Sequence, residues 1–95
     1  MLAKPISRIV FVNDQHGLHL RPCSAIVTTV SRHQAKVTVH KGGHAVNADS
    51  IFGLLSLAAT RGTELILSAT GPDAQEALDA VVRLFAEDPQ MAHCA

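Results

Sequence analysis

Two hydrophobic periods alternate along the chain, and their order constrains the fold more than any other feature. Short runs with the two-residue period of strands are separated by stretches whose apolar residues recur every three or four positions, as in amphipathic helices. Strands are predicted at residues 6–13, around 37–40, just after the Gly42–Gly43 turn and at 63–70, and helices at about 22–32, 50–59 and 71–88. This βαββαβα order predicts a small α+β fold, in which helices cover one face of a four-stranded antiparallel sheet.

Helix-start signals agree with this order. Pro22 suits the first turn of the first helix, where its missing N–H leaves no bond unmade. Asp49 or Ser50 can cap the second helix. Asp73 and Glu76 have the spacing of a capping box at the start of the third. The buried stripe of that helix is predicted to consist of Ala77, Leu78, Val81, Leu84 and Phe85.

Length and composition restrict the class of protein. The 95 residues are expected to form a single domain over 1–95, with a core at about 7–86 and a flexible tail at 88–95. A hydrophobic content of 47% with 17% charged residues is typical of a globular chain. Eight basic and eight acidic residues give no net charge, and the only aromatic residues are three phenylalanines. Neither nucleic acid nor an anionic membrane surface is therefore expected as a partner.

The chain carries no predicted targeting or membrane segment. Lys4, Pro5 and Arg8 interrupt the N-terminal stretch before any apolar run develops. The longest weakly polar stretch, IFGLLSLAA, is far too short to span a bilayer. Two cysteines, Cys23 and Cys94, are too few for a disulfide framework and are interpreted as free thiols. We therefore expect a cytoplasmic protein.

Six histidines raise the question of a metal site. His16 with His19, and His40 with His44, are the pairs that could approach each other, but neither has a carboxylate or thiolate at ligand spacing. No metal and no cofactor is therefore predicted. Surface positions are expected for His33, His40, His44 and His93.

The segment GLHLRP, residues 17–22, carries the chemistry that the rest of the chain lacks. His19 precedes a predicted helix, whose first-turn N–H groups and dipole favour an anion such as phosphate. Arg21 adds a guanidinium suited to phosphate oxygens. A neutral imidazole can attack a phosphoryl group and later release it. An exposed loop histidine beside an unrelated arginine remains the alternative.

Three segments resemble the HPr family, the histidine-containing phosphocarriers of the bacterial phosphotransferase system. GLHLRP is similar to the active-site motif of the family, and DSIFGLLSL (49–57) to its regulatory-serine helix. TRGTELILSATGPDAQEALDAV is similar to its last strand and helix, so the resemblance covers about residues 7–86. EALDAVVRLF also resembles the nitrogen-related branch, and several lysines of the docking face in enteric sugar-system members have no counterpart here.

The resemblance implies an open-faced β-sandwich and assigns roles to individual residues. His19 would accept a phosphoryl group on Nδ1 from enzyme I charged by phosphoenolpyruvate, and would pass it to a IIA-type acceptor. Arg21 would orient the phosphoryl oxygens, and Ser50 would be phosphorylated by an HPr kinase/phosphorylase. The protein would then be a monomeric carrier rather than a catalyst with its own turnover. The alternatives are a small-ligand regulatory module and a pure docking regulator, although the regulators of this family lack the active histidine.

The second predicted helix has more apolar residues than one buried stripe requires. Leu54, Leu57 and Ala58 fall on one arc and are predicted to face the core. The second arc is either also buried or forms a docking patch beside His19, and the resemblance favours the patch. The predicted docking residues are Leu20, Ile51, Phe52 and Leu55. Leu20 and Cys23 stand where the family most often has small or polar residues. Cys23 is either a small core residue or a thiol whose pKa is lowered by the nearby helix start.

Overall fold

The computed structural model of the protein describes residues 5–86. In chain order its elements are β1 Ile6–Phe11, α1 Leu20–Ser31, β2 Lys36–Lys41, β3 His44–Asn47, α2 Ile51–Ser56, β4 Glu64–Thr70 and α3 Ala74–Ala86. The strands form one antiparallel sheet in the order β1-β4-β2-β3. The predicted α+β class and the open-faced βαββαβα sandwich are confirmed.

The alternation along β4 separates the two faces of the sheet. Leu65, Leu67 and Ala69 are buried, whereas Glu64 and Ile66 between them are exposed. The buried side chains continue onto the neighbouring strand, since Val37 pairs with Ala69 and Val39 with Leu67. The core therefore lies between this face and the helices, while the opposite face of the sheet is open.

Helices α1 and α3 supply most of the covering layer. The buried residues of α1 are Pro22, Cys23, Ile26 and Val30, and those of α3 are Ala77, Leu78, Val81 and Phe85. Leu84, predicted to be in the stripe, is only partly buried. Helix α1 begins at Leu20, two residues before the prediction, because the His19 carbonyl already accepts the Cys23 N–H at 3.1 Å.

Asp73 stands at the start of α3, as predicted, but its side chain is directed at a neighbouring loop. Its carbonyl accepts the Ala77 N–H at 2.8 Å, which begins the helix. Its carboxylate accepts the Gln34 N–H at 2.8 Å, and its own N–H donates to the Gln34 carbonyl at 3.0 Å. Asp73 therefore joins α3 to the loop between α1 and β2.

The structure also differs from the prediction at the start of α3, which begins at Ala74 rather than near residue 71, and at the ends of two other elements. Helix α2 ends at Ser56 rather than near residue 59, since Ala58 has a φ of 49° in the left-handed region and turns the chain away. Ala58 is exposed and does not face the core. The first strand ends at Phe11, where its pairing with β4 stops. His93, Cys94 and the predicted tail at 88–95 lie outside the described residues. Within 5–86, no helix is long and apolar enough to span a bilayer.

Candidate functional site

His19 occupies the N-cap position of α1. Its backbone is extended, with φ −111° and ψ −168°, and its side chain makes no capping hydrogen bond. Because Pro22 has no N–H and the Cys23 N–H is already bonded, the N–H groups of Leu20 and Arg21 are the first-turn donors without an intrahelical acceptor. An anion attached to the His19 ring would meet these donors and the positive end of the helix dipole.

The two ring nitrogens of His19 have different surroundings. Nε2 is shielded from water, makes no hydrogen bond of good geometry within residues 5–86, and lies 3.3 Å from Asp14 Oδ1. The His19 side chain is nevertheless 33% exposed. Nδ1 is not enclosed in this way, since Nε2 is the one buried, unpaired side-chain nitrogen or oxygen of the described residues. Nδ1 is therefore the less enclosed of the two ring nitrogens.

The loop before His19 is fixed by backbone contacts. Asp14 accepts the His16 N–H on Oδ1 at 2.8 Å and the Gly17 N–H on its carbonyl at 2.9 Å. The Leu18 N–H donates to the Ala59 carbonyl at 2.9 Å, which ties the loop to the segment after α2. Gly17 has a φ of 73°, and a Cβ built there would lie 2.4 Å from that same carbonyl oxygen. Only glycine fits this close approach without displacing backbone.

Arg21 lies in the first turn of α1 and is exposed. No carboxylate lies within ion-pair distance of it in the part of the chain that the structure describes. It borders an open groove of about 540 Å³ on the outer side of α1. Its guanidinium is therefore free to meet an anion near the start of the helix.

His16 is the nearest other imidazole to His19. The two rings meet edge to face, with centroids 5.7 Å apart. Across residues 5–86 there is no cluster of three or more potential metal ligands.

Ser50, rather than Asp49, caps α2. Its Oγ accepts the Gly53 N–H at 3.0 Å, and its side chain is partly buried. The hydroxyl therefore has a structural function of its own, which any regulatory role would have to accommodate.

The predicted docking residues are not equally exposed. Phe52 is 84% exposed and Leu20 is 60% exposed. Ile51 and Leu55 are partly buried against the core, so the prediction that both point outward is wrong. Helix geometry gives the reason: at about 100° per residue, Phe52 lies nearly opposite the fully buried Leu54, whereas Ile51 and Leu55 both flank Leu54 on one side.

Cys23 is a core residue, with no exposed surface. Burial raises the pKa of its thiol to about 11. The alternative of a lowered pKa near the helix start is therefore wrong, because the thiol is buried in the core.

Asp14 was not singled out from the sequence. It is the one charged or polar residue classed as buried within 5–86, with 6% exposure. The only local signal was its position in the turn-forming segment DQHG, which predicts a turn but no contact with His19.

Comparison with known proteins agrees with this geometry. A family model described as the phosphorylation site of the PTS HPr component matches residues 6–87. The phosphocarrier protein HPr of Treponema pallidum is 40% identical over 80 residues, which cover 84% of this chain and 91% of that protein. The HPr-like protein Crh of Bacillus subtilis is 40% identical over 83 residues, covering 87% and 98% respectively.

A solved structure extends the similarity to three dimensions. The crystal structure of the phosphocarrier protein HPr from Bacillus anthracis superposes with a TM-score of 0.82 at 34% identity, over 87% of this chain and 99% of that one. Sequence, family model and fold thus agree over the region that holds His19, α1 and α2. The chain belongs to the HPr family of phosphotransferase-system phosphocarriers.

Proposed function

We propose that His19 accepts a phosphoryl group from enzyme I charged by phosphoenolpyruvate, and passes it to a IIA-type domain. The observation that supports this most strongly is the contrast between the two ring nitrogens. Nε2 is shielded beside Asp14, whereas Nδ1 is accessible at the N-terminus of α1. A nucleophile of this kind needs no metal, since the donors around it can stabilise the phosphoryl oxygens.

Arg21 would bind those oxygens. Its exposed guanidinium presents two parallel N–H donors, and no carboxylate of the described residues competes for them. The N–H groups of Leu20 and Arg21 would add backbone donors on the same side. The phosphoryl group would thus be held between the helix start and the guanidinium.

The surface beside this site would serve for docking. Phe52 and Leu20 provide its exposed apolar area, and the partly buried Ile51 and Leu55 provide its base; we call these four residues the docking surface. Exposed apolar side chains of this size favour brief association with several partners in turn. The same role implies a cytoplasmic monomer that meets its donor and acceptor one at a time.

Ser50 would regulate docking after phosphorylation by an HPr kinase/phosphorylase. The Ser50 Oγ already points at the Gly53 N–H, so a phosphate there would remain at the N-terminus of α2. It would bring close to two negative charges next to Ile51 and Phe52. Partner binding would have to desolvate those charges, and docking would weaken.

Phosphoryl transfer can be tested by incubating the protein with phosphoenolpyruvate and enzyme I and measuring its intact mass. We expect one phosphoryl adduct, labile in acid and stable in alkali. His19→Ala should abolish the adduct in a protein that still folds, and Arg21→Lys should load more slowly, because an ammonium cannot reproduce the planar pair of donors.

His44→Ala is the matched control, because it removes an exposed imidazole from β3, at the edge of the sheet. It should load as the wild type does. A folded wild-type protein that takes up no phosphoryl group, or a His19→Ala variant that still takes one up, would exclude the proposed function.

A further inference from the structure

Asp14 and His19 form a buried contact whose geometry suggests a role in the chemistry of the ring. We propose that Asp14 is a positioning residue, which keeps the imidazole proton on Nε2 and the reactive lone pair on Nδ1, and balances the charge of the loaded ring. This inference rests on the proposed function of His19. Its first part concerns the free protein and can be tested without any phosphoryl donor.

The first argument is the choice of partner for a buried carboxylate. Asp14 is 6% exposed, and burial of a charge is unfavourable unless the charge is paired. No lysine or arginine of residues 5–86 lies within ion-pair distance of it. His19 Nε2, at 3.3 Å, is the side-chain nitrogen that can become cationic beside it. The contact therefore gives the carboxylate a neutral N–H partner in the free protein and a counter-charge once the ring is loaded.

The second argument is the position of the proton on the free ring. A neutral imidazole carries its hydrogen on one nitrogen and a lone pair on the other. A lone pair on Nε2 would face the Asp14 oxygen and be repelled, and no water reaches Nε2 to relieve the repulsion. An N–H on Nε2 would instead be attracted, and a small rotation of the ring would complete the hydrogen bond. The lone pair then resides on the accessible Nδ1.

Phosphoryl transfer to Nδ1 does not require the Nε2 hydrogen to move. The Nδ1 lone pair forms a bond to phosphorus while the bond between phosphorus and the donor atom of enzyme I breaks, and its electron pair returns to enzyme I. The ring keeps its Nε2–H and acquires a positive charge, which the Asp14 carboxylate offsets at close range. Onward transfer reverses these changes. Asp14 thus acts through His19 and does not touch the phosphoryl group.

The hydrogen bond from the His16 N–H separates the effect of charge from the effect of shape. Asp14 Oδ1 lies 2.8 Å from the His16 backbone nitrogen, and an amide oxygen could accept the same N–H equally well. Asp14→Asn therefore retains the turn and an acceptor for Nε2–H but loses the negative charge. Asp14→Ala loses both. Glu64→Gln is the matched control, since it removes one exposed carboxylate of β4 from the open face of the sheet.

The test is ¹⁵N NMR of the His19 imidazole in the unphosphorylated protein, followed by loading kinetics with enzyme I. We expect the Nε2–H tautomer in the wild type, in Asp14→Asn and in Glu64→Gln, and a mixture of tautomers in Asp14→Ala. Asp14→Asn should load roughly 10- to 100-fold more slowly, by analogy with the loss seen when the hydrogen-bond partner of a metal-bound imidazole is removed. Glu64→Gln should load normally.

The inference would be overturned if Asp14→Ala kept the wild-type tautomer, or if Asp14→Asn loaded as fast as Glu64→Gln. Failure of the proposed function would look different, because the wild type itself would take up no phosphoryl group. The tautomer comparison would then still decide whether Asp14 positions the ring.

Discussion

Replacing Gly17 by alanine probes the close approach that holds the His19 loop against the segment after α2. Gly17 has a φ of 73°, and an added Cβ would lie 2.4 Å from the Ala59 carbonyl oxygen and 3.1 Å from the Thr60 Cα. Gly42, with a φ of 59°, has no heavy atom within 4 Å of such a Cβ. Gly17→Ala and Gly42→Ala therefore share the cost of an alanine at positive φ, whereas only Gly17→Ala adds a steric overlap with neighbouring backbone.

The expected magnitudes follow from these contacts. An alanine forced into the left-handed region costs about 1–2 kcal/mol, which is the whole effect expected for Gly42→Ala. At Gly17 the backbone must also move, and the hydrogen bond from Leu18 N–H to the Ala59 carbonyl, 2.9 Å long, is lost or stretched. Loss of a buried hydrogen bond adds about 1–3 kcal/mol, and backbone displacement adds a comparable amount. We expect Gly17→Ala to lower the free energy of unfolding by about 3–8 kcal/mol.

Urea denaturation followed by circular dichroism measures both variants; the chain has no tryptophan or tyrosine for fluorescence. Under conditions where both are folded, Gly17→Ala should also load more slowly, because displacement of the loop moves His19, and Gly42→Ala should load as the wild type does. Equal losses of unfolding free energy in the two variants would refute the packing of this loop against Ala59.

Three further predictions concern burial and docking. In a Cys94→Ser background, Cys23 should resist alkylation at neutral pH. Rapid alkylation of the folded protein would contradict the burial of this thiol. Its folded pKa of about 11 exceeds the reference value of 9.0, so the free energy of unfolding should fall as the pH rises from 9 to about 11. Cys23→Ala should lack this pH-dependent contribution. Leu54→Ala should lower the free energy of unfolding by about 2–5 kcal/mol, and Phe52→Ala by less than about 0.5 kcal/mol. Only Phe52→Ala should raise the concentration of this protein that half-saturates enzyme I. Unchanged kinetics in that variant would remove Phe52 from the docking surface. Ser50→Asp should also raise the half-saturating concentration. Ser50→Ala removes the N-cap hydrogen bond and about 1 kcal/mol of stability, but should leave the half-saturating concentration unchanged. Equal loading by the two variants would argue against regulation at this helix.

Local patterns were sufficient to predict the order of the elements and one face of each. The two-residue period of β4 and the helical stripe of α3 depend on neighbours in sequence, and the structure contains both. The helix start at His19 and the cap at Ser50 are also local, since each depends on residues within one turn. The position of His19 just before a helix could therefore be predicted from local sequence, although α1 begins two residues earlier than predicted.

Features that depend on tertiary contacts could not be predicted in this way. The end of α2 depends on the left-handed backbone of Ala58, which has no glycine to announce it. The partial burial of Ile51 and Leu55 depends on the side from which the core meets α2. The contact of Asp14 with His19 depends on how the intervening loop folds back, and charge or spacing alone gave no sign of it.

The central claim, that Nδ1 of His19 carries the phosphoryl group because Nε2 is shielded beside Asp14, can be tested by one measurement. Protein labelled with ¹⁵N in its histidine rings is loaded by enzyme I and phosphoenolpyruvate, and the ¹⁵N–³¹P coupling is recorded in alkaline solution. The account predicts coupling to Nδ1 of His19 and none to Nε2. Coupling to Nε2, or a phosphoryl group on any other residue, would contradict it.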